Sequence, residues 1–239
     1  MIAWEDGAVQ KFRWGPNAKN HSGTIYIDDI RFEKVLPEIS TSFNDIILKS
    51  GWNAITPTNN IVYYTGAEQP DLDDSFEYKK VTDLREAFDP SVIEKIMIVR
   101  GMKKDRSQVT YDPNIPVFVN TMTYIAPGEG YQIKVKDDQS ATWRLKGKPF
   151  SGTLEMSLIG GLNLIGNPFQ KDLTKEEFFG DKLDFITRII QPETQEDIPI
   201  ESFDVIPSGK SFWFYYNPTQ LDSFDPLKVT PIDLEIMID

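Results

Sequence analysis

The sequence predicts a mainly β protein: two related antiparallel β-sandwich or barrel-like halves, with one or two short helices in the connections. Three observations carry this. Short β-rich runs alternate apolar and polar residues with a period of two, as half-buried strands do. Gly and Pro punctuate those runs at turn spacing. The chain also resembles itself.

The repeat is read first. Ile46-Ile47-Leu48-Lys49-Ser50-Gly51-Trp52-Asn53-Ala54-Ile55-Thr56-Pro57 parallels Met156-Ser157-Leu158-Ile159-Gly160-Gly161-Leu162-Asn163-Leu164-Ile165-Gly166-Asn167-Pro168. Each is a strand, a glycine corner, a large apolar residue, an asparagine, two apolar residues and a proline stop. Downstream, Tyr124-Ile125-Ala126-Pro127-Gly128-Glu129-Gly130-Tyr131-Gln132-Ile133-Lys134-Val135 parallels Asp204-Val205-Ile206-Pro207-Ser208-Gly209-Lys210-Ser211-Phe212-Trp213-Phe214-Tyr215. Proline presets φ and glycine supplies φ > 0, so both read as a short strand, a turn and an aromatic-led strand. The same order in both pairs divides the chain into an N-terminal β segment over 1–36, a first copy over 37–150 and a second over 151–239.

Further strands are expected at Val9–Trp14, Gly23–Glu33, Ile61–Tyr64, Ile96–Arg100, Pro116–Val119, Thr142–Leu145, Phe185–Ile190 and Asp233–Met237. Thr82–Phe88 has apolar residues at helical spacing and ends before Asp89-Pro90. Thr174-Lys175-Glu176-Glu177 forms a capping box ahead of Phe178-Phe179 and a Gly180 stop. The closing strands are expected to pair across the halves about a pseudo-twofold axis.

Composition narrows the function. Across 239 residues, 25 Lys+Arg against 37 Asp+Glu give a net charge of −12. Phosphate backbones and anionic membranes demand the opposite sign, so no nucleic acid is expected as partner. The absence of cysteine removes disulfides, thiolate metal sites and cysteine nucleophiles. A histidine base could be supplied by His21 alone, and Asn20-His21-Ser22-Gly23 reads as a turn. No apolar run approaches the ~20 residues that span a bilayer, so no membrane insertion is expected. Met1-Ile2-Ala3-Trp4-Glu5-Asp6 lacks the basic and apolar regions of a signal peptide.

Two segments resemble known families. Thr24-Ile25-Tyr26-Ile27-Asp28-Asp29-Ile30-Arg31-Phe32-Glu33, after Gln10-Lys11-Phe12-Arg13-Trp14, resembles the last strand of galactose-binding-like carbohydrate-binding modules. Gly161-Leu162-Asn163-Leu164-Ile165-Gly166-Asn167-Pro168-Phe169, with Gly209-Lys210-Ser211-Phe212-Trp213-Phe214, resembles GWNLIGNP-type β repeats in C-terminal regions of secreted bacterial proteins. The first copy departs from that pattern at Ala54-Ile55-Thr56-Pro57. The resemblances imply an acidic accessory module of a multimodular polysaccharide-degrading protein, extracellular or at the cell surface, with upstream domains as partners.

Phe212-Trp213-Phe214-Tyr215-Tyr216 alternates on a strand, which puts Trp213 and Tyr215 on one face. That face is either covered or an open aromatic platform for the apolar C–H face of a pyranose ring in a poly- or oligosaccharide. Trp143, Tyr63 and Tyr64 are further platform candidates, and Trp52 is expected in the core because its counterpart is Leu162. Asn53 and Asn163 are expected to bond nearby backbone at the strand corner.

Asp71 and Asp73 are the best candidates for calcium, against a solvated acidic loop. Among 37 acidic residues no carboxylate pair is marked out for a glycosidase, and no catalytic residues are expected. Gly209-Lys210-Ser211 is not a phosphate loop, since the upstream glycine it needs is Asp204. Three readings follow: a non-catalytic carbohydrate-binding module, a structural or interaction module without glycan affinity (spacer, surface attachment or secretion-associated), and a carboxylate-dependent glycosidase.

Overall fold

The computed structural model describes residues 42–66, 77–103, 107–217 and 232–238. The expected strands at Val9–Trp14 and Gly23–Glu33, together with His21, Asp71 and Asp73, lie outside them.

The first half holds β1 (Ser42–Leu48), β2 (Gly51–Ile55), β3 (Ile61–Tyr64), β4 (Glu77–Lys80), helix α1 (Pro90–Ile93), β5 (Ile96–Met102), β6 (Gln108–Tyr111), β7 (Tyr124–Ile125), β8 (Tyr131–Val135) and β9 (Ala141–Gly147). The second holds β10 (Gly152–Leu158), β11 (Gly161–Gly166), β12 (Leu173–Thr174), helix α2 (Lys175–Phe179), β13 (Ile186–Ile190), β14 (Asp197–Ile198), β15 (Val205–Ile206), β16 (Ser211–Tyr216) and β17 (Ile232–Ile238). The fold is mainly β.

The halves share a plan. A four-stranded antiparallel sheet runs β2-β8-β5-β6 in the first and β11-β16-β13-β14 in the second. A ribbon encloses each: β1 pairs with β9, and β10 with β17. Ile55 faces Tyr131 as Ile165 faces Phe212. Tyr63 faces Ile125 as Leu173 faces Ile206. Even an irregularity recurs. Register slips by one residue between Ile96 and Ile98 on β5, and between Ile186 and Arg188 on β13, beside the equivalent strands β8 and β16. A bulge at the same place in both sheets bends them alike.

Each half has its own core. Ile55, Val99, Tyr131 and Ile133 of the first sheet meet Ile46, Leu48, Trp143 and Leu145 of the ribbon. In the second, Ile165, Ile189, Phe214 and Tyr216 pack with Leu154 and Leu158 of β10 and with Phe178 and Phe179 of α2. Val62, Ala126 and Phe150 of the first half join this second core. Both halves belong to one compact unit, Ile39–Asp239.

The glycine corners work as the repeat requires. Gly51 and Gly161 open β2 and β11 at φ of 84° and 103°, backbone that side chains disfavour. Two residues on, Asn53 and Asn163 are buried and bonded alike. Asn53 Oδ1 accepts from Lys49 N at 2.8 Å, and its Nδ2 donates to Lys49 O at 2.7 Å and Gly51 O at 3.1 Å. Asn163 Oδ1 accepts from Ile159 N at 3.0 Å, and its Nδ2 donates to Ile159 O at 2.8 Å and Gly161 O at 2.9 Å. Both carboxamides tie the corner to the end of the preceding strand.

Three local expectations are corrected. Pro116–Val119 is no strand: Val117–Val119 is a 3-10 turn, closed by Val119 N to Pro116 O and Asn120 N to Val117 O. Pro116 lacks an N–H for a ladder, and the turn lies on the surface with no strand beside it. Thr82–Phe88 is a 3-10 turn over Leu84–Ala87, capped by Asp83 and Glu86. The turn ends at Ala87 with an extended Phe88, ahead of Asp89-Pro90 as expected. Pro90 starts α1, where a missing N–H costs nothing. The closing strands do not pair across the halves, because β9 and β17 are each taken up by the ribbon partner of their own half. The capping box at Thr174 and Glu177 starts α2 as read from sequence.

The backbones of the halves meet through a pair of reciprocal links. The end of β2 meets the turn before β16 through a bridge between Ile55 and Lys210, with Thr56 N donating to Gly209 O at 3.0 Å. The end of β11 meets the turn before β8 through a bridge between Glu129 and Ile165, with Gly166 N donating to Gly128 O at 3.0 Å. A Cβ on Gly166 would lie 2.6 Å from Lys210 O and 2.8 Å from Thr56 Cβ. Gly166→Ala is therefore expected to force the halves apart and to cost about 1–3 kcal/mol. Asn163→Ala, which strips the corner of its bonds, is expected to cost about 2 kcal/mol. Urea unfolding followed by circular dichroism checks both; unchanged midpoints would contradict them.

Candidate functional site

A groove of about 770 Å³ opens between the halves, within the roughly 300–1,000 Å³ span of small-ligand sites. Its walls are the outer faces of the two equivalent sheets. On the first, inward Asn53 and Ile55 leave Trp52 facing out, and inward Ile133 leaves Gln132 out beside Arg100 of β5. Met102 and Gln108 continue that wall along the β5–β6 pair. On the second, Phe214 and Tyr216 turn inward, so Trp213 and Tyr215 turn out, with Leu162 opposite Tyr215 and Ile190 beside Trp213.

The hairpin after β13 forms the rim. It folds back through Gln191 N to Glu196 O at 3.0 Å and Gln195 N to Gln191 O at 2.8 Å, with Gln195 at φ 62°. Two side chains fasten the rim to the first half. Glu193 Oε1 accepts from Ala54 N at 3.0 Å, and Gln132 Nε2 donates to Pro192 O at 3.2 Å. Ala54 lies on the edge strand of its sheet, so Glu193 caps an N–H that would otherwise be open to pairing.

The groove's chemistry is aromatic and amide. Trp52, Trp213 and Tyr215 supply flat apolar surface with polar tips. Gln108 and Gln195 supply carboxamides at its margin, and each carboxamide is both donor and acceptor. The Arg100 guanidinium carbon lies 4.7 Å from the Trp52 ring centroid, and Lys134 Nζ lies 5.8 Å from the same centroid.

Of the platform residues read from sequence, Trp213 and Tyr215 come together here, Tyr215 being 39% exposed. Trp143 does not. It is 1% exposed, stacks on Phe88 at 4.5 Å and donates from Nε1 to Ala87 O at 3.0 Å. The alternation of β9 announces this, since Trp143 shares a face with Ala141 and Leu145 while Thr142, Arg144 and Lys146 face out. Tyr64 is buried beside Val62, edge-on to Tyr78 at 6.4 Å. Tyr63 is half-buried against the first core, away from the groove, with Lys79 Nζ 5.5 Å from its ring centroid. Trp52 is corrected in the other direction: it lines the groove, because Asn53 takes the inward position on β2. Arg100, Gln108, Gln132 and Glu193 are not marked in the sequence; the alternation of β5 and β8 is the signal for Arg100 and Gln132. Among the described residues no group of three or more Asp, Glu or His could hold a metal ion.

One carboxylate lies at the junction rather than in the groove. Glu129 accepts from Tyr124 OH at 2.8 Å and Tyr131 OH at 2.9 Å. Burial, then the Glu129 charge, raises both phenols well above their usual range. Both phenols therefore stay protonated at neutral pH and donate to the Glu129 carboxylate.

These features define a mainly β protein of two related halves with an aromatic, amide-lined groove between them. Among the described residues no helix is long and apolar enough to cross a membrane. No protein-family model matches the chain, and no curated protein or solved structure matches it significantly.

Two outcomes are expected. Trp52→Phe and Trp213→Phe should each remove more acrylamide-quenchable fluorescence than Trp143→Phe; equal losses would contradict the placement of these indoles. Raised phenol pKa values mean that the folded state holds protons the unfolded chain releases above about pH 10. The stabilisation is complete below that pH and is lost as pH rises beyond it. Urea midpoints measured from about pH 9 to 11 should fall, and Tyr131→Phe should make the fall shallower.

Proposed function

We propose that the chain is a non-catalytic, carbohydrate-binding accessory module, belonging to a longer secreted polysaccharide-active protein and working outside the cell or at its surface. One observation carries the reading: Trp213 and Tyr215 lie outward on β16 in a groove that also presents Trp52 and the carboxamides of Gln108, Gln132 and Gln195. Aromatic planes hold the apolar faces of sugar rings, and amides serve the hydroxyls around their rims. Among the described residues, Arg100 and Glu193 are the charged ones of the lining, and Glu193 already caps Ala54 N, so these residues bring no pair of carboxylates together for glycosidase chemistry. The segment over 24–33 and its likeness to a carbohydrate-binding module support the same setting.

A second reading, an interaction module without glycan affinity, draws on a different surface. Ile115, Val117, Phe118 and Val119 are all exposed, Phe118 by 88%. Such apolar surface fits protein contact rather than sugar stacking.

Affinity electrophoresis of the chain against soluble polysaccharides, with calcium and with chelator, separates the two. Retardation by at least one glycan is expected, and Trp213→Ala is expected to weaken it at least tenfold, the scale of one lost aromatic anchor. Loss with chelator would implicate calcium. No retardation by any glycan would transfer the reading to the interaction module.

A further inference from the structure

We infer that the groove takes a glycan bearing carboxylate groups, a uronate-containing chain, with the acid seated at Arg100 beside Trp52. The inference rests on the carbohydrate-binding reading and names the class of sugar.

The argument begins with the arginines. Four lie among the described residues. Arg144 is clasped by Asp45 at 2.8 and 2.9 Å, Arg188 by Asp197 at 2.5 and 2.7 Å, and Arg85 lies 3.8 Å from Asp83. Arg100 has no carboxylate partner among the described residues. In a chain with 37 acidic residues against 25 basic ones, an arginine left without a counter-ion is the exception.

The contrast is sharpest between the two walls. Arg188 lies opposite Tyr215 on the outer face of β13, as Ile98 lies opposite Lys134 on β5. The second sheet neutralises its outward arginine internally with Asp197. The first leaves Arg100 open, and at the groove.

Arg100 is also oriented for use. Its guanidinium carbon is 4.7 Å from the Trp52 centroid, so the indole holds the head group by cation–π attraction. The planar fork of N–H donors is then free to meet the two oxygens of a carboxylate, a geometry that an ammonium cannot match. Lys134 adds a second cation 5.8 Å from the same ring. Two cations at one indole repel each other, and an anion seated between groove and ring relieves that repulsion. The net charge of −12 does not oppose this at contact range, because salt screens distributed charge beyond about 8 Å.

Trp213 and Tyr215, on the opposite wall, are left for the rings of neighbouring sugars. Glu193 lies in the hairpin beside them, already held by Ala54 N. The lining therefore has one wall suited to an acid and another suited to neutral surface.

The test is isothermal titration calorimetry of the whole chain with an α-1,4-linked oligogalacturonate, its fully methyl-esterified form and a sulfated oligosaccharide. Esterification keeps the backbone and removes the charge. The acid form should bind at least about tenfold tighter than the ester. Arg100→Gln should bring that ratio close to one, and Arg100→Lys should restore part of it. Lys134→Gln should lower it less, because Lys134 acts as a point charge. Equal binding of acid and ester, or an unchanged ratio in Arg100→Gln, overturns the uronate inference. It leaves the carbohydrate-binding reading intact if Trp213→Ala still abolishes binding. Affinity for the sulfated sugar alone overturns the carboxylate assignment. No binding of these sugars, together with no retardation by any polysaccharide, removes both readings.

Discussion

The structure turns on two backbone links between the halves. Ile55 reaches Lys210, and Ile165 reaches Glu129, with the strand ends hydrogen-bonded to the opposite turns. Each half offers one strand end and one turn, and each receives the other's. Links of this kind tolerate no side chain at their closest point, which is why Gly166 sits against Thr56 and Gly130 against Leu164 O of the opposite half. The groove exists because this contact fixes how far apart the two outer sheet faces stand. The hairpin after β13, fastened by Glu193 and Gln132, then closes one side.

Much of the fold is legible from residues with local jobs. Gly51 and Gly161 mark corners because φ there is positive, and Asn53 and Asn163 follow because a strand end needs its backbone groups satisfied. Ile61–Tyr64, the Thr174 capping box and the faces of β16 are likewise set by period and chemistry within a few residues. What fails is what depends on distant partners. Pro116–Val119 has strand composition but no neighbouring strand to pair with. Composition also could not show that each ribbon takes up the closing strand of its own half.

The site divides the same way. That Trp213 and Tyr215 share a face follows from alternation alone. That the face is open, and that Trp52 stands opposite it, depends on the meeting of two sheets remote in sequence. Trp143 was readable from its own strand, since its neighbours on that face are Ala141 and Leu145. Trp52 was harder, because the inward position beside it is held by an asparagine. A polar residue pointing into the core reverses the ordinary reading of which face is buried. That Arg100 reaches the Trp52 ring depends on the pairing of β5, β8 and β2, which no window of sequence displays.

The two walls descend from one pattern but no longer match. Trp52 stands where the other half has Leu162, Gln132 corresponds to Trp213, and Arg100 corresponds to Ile190. A groove about a true twofold axis would read an extended ligand equally well from either end. In this one, a chain turned end for end would meet leucine in place of tryptophan and isoleucine in place of arginine. The divergence of the two copies has thus given a symmetric scaffold a direction, and a polymer laid in it has a head and a tail.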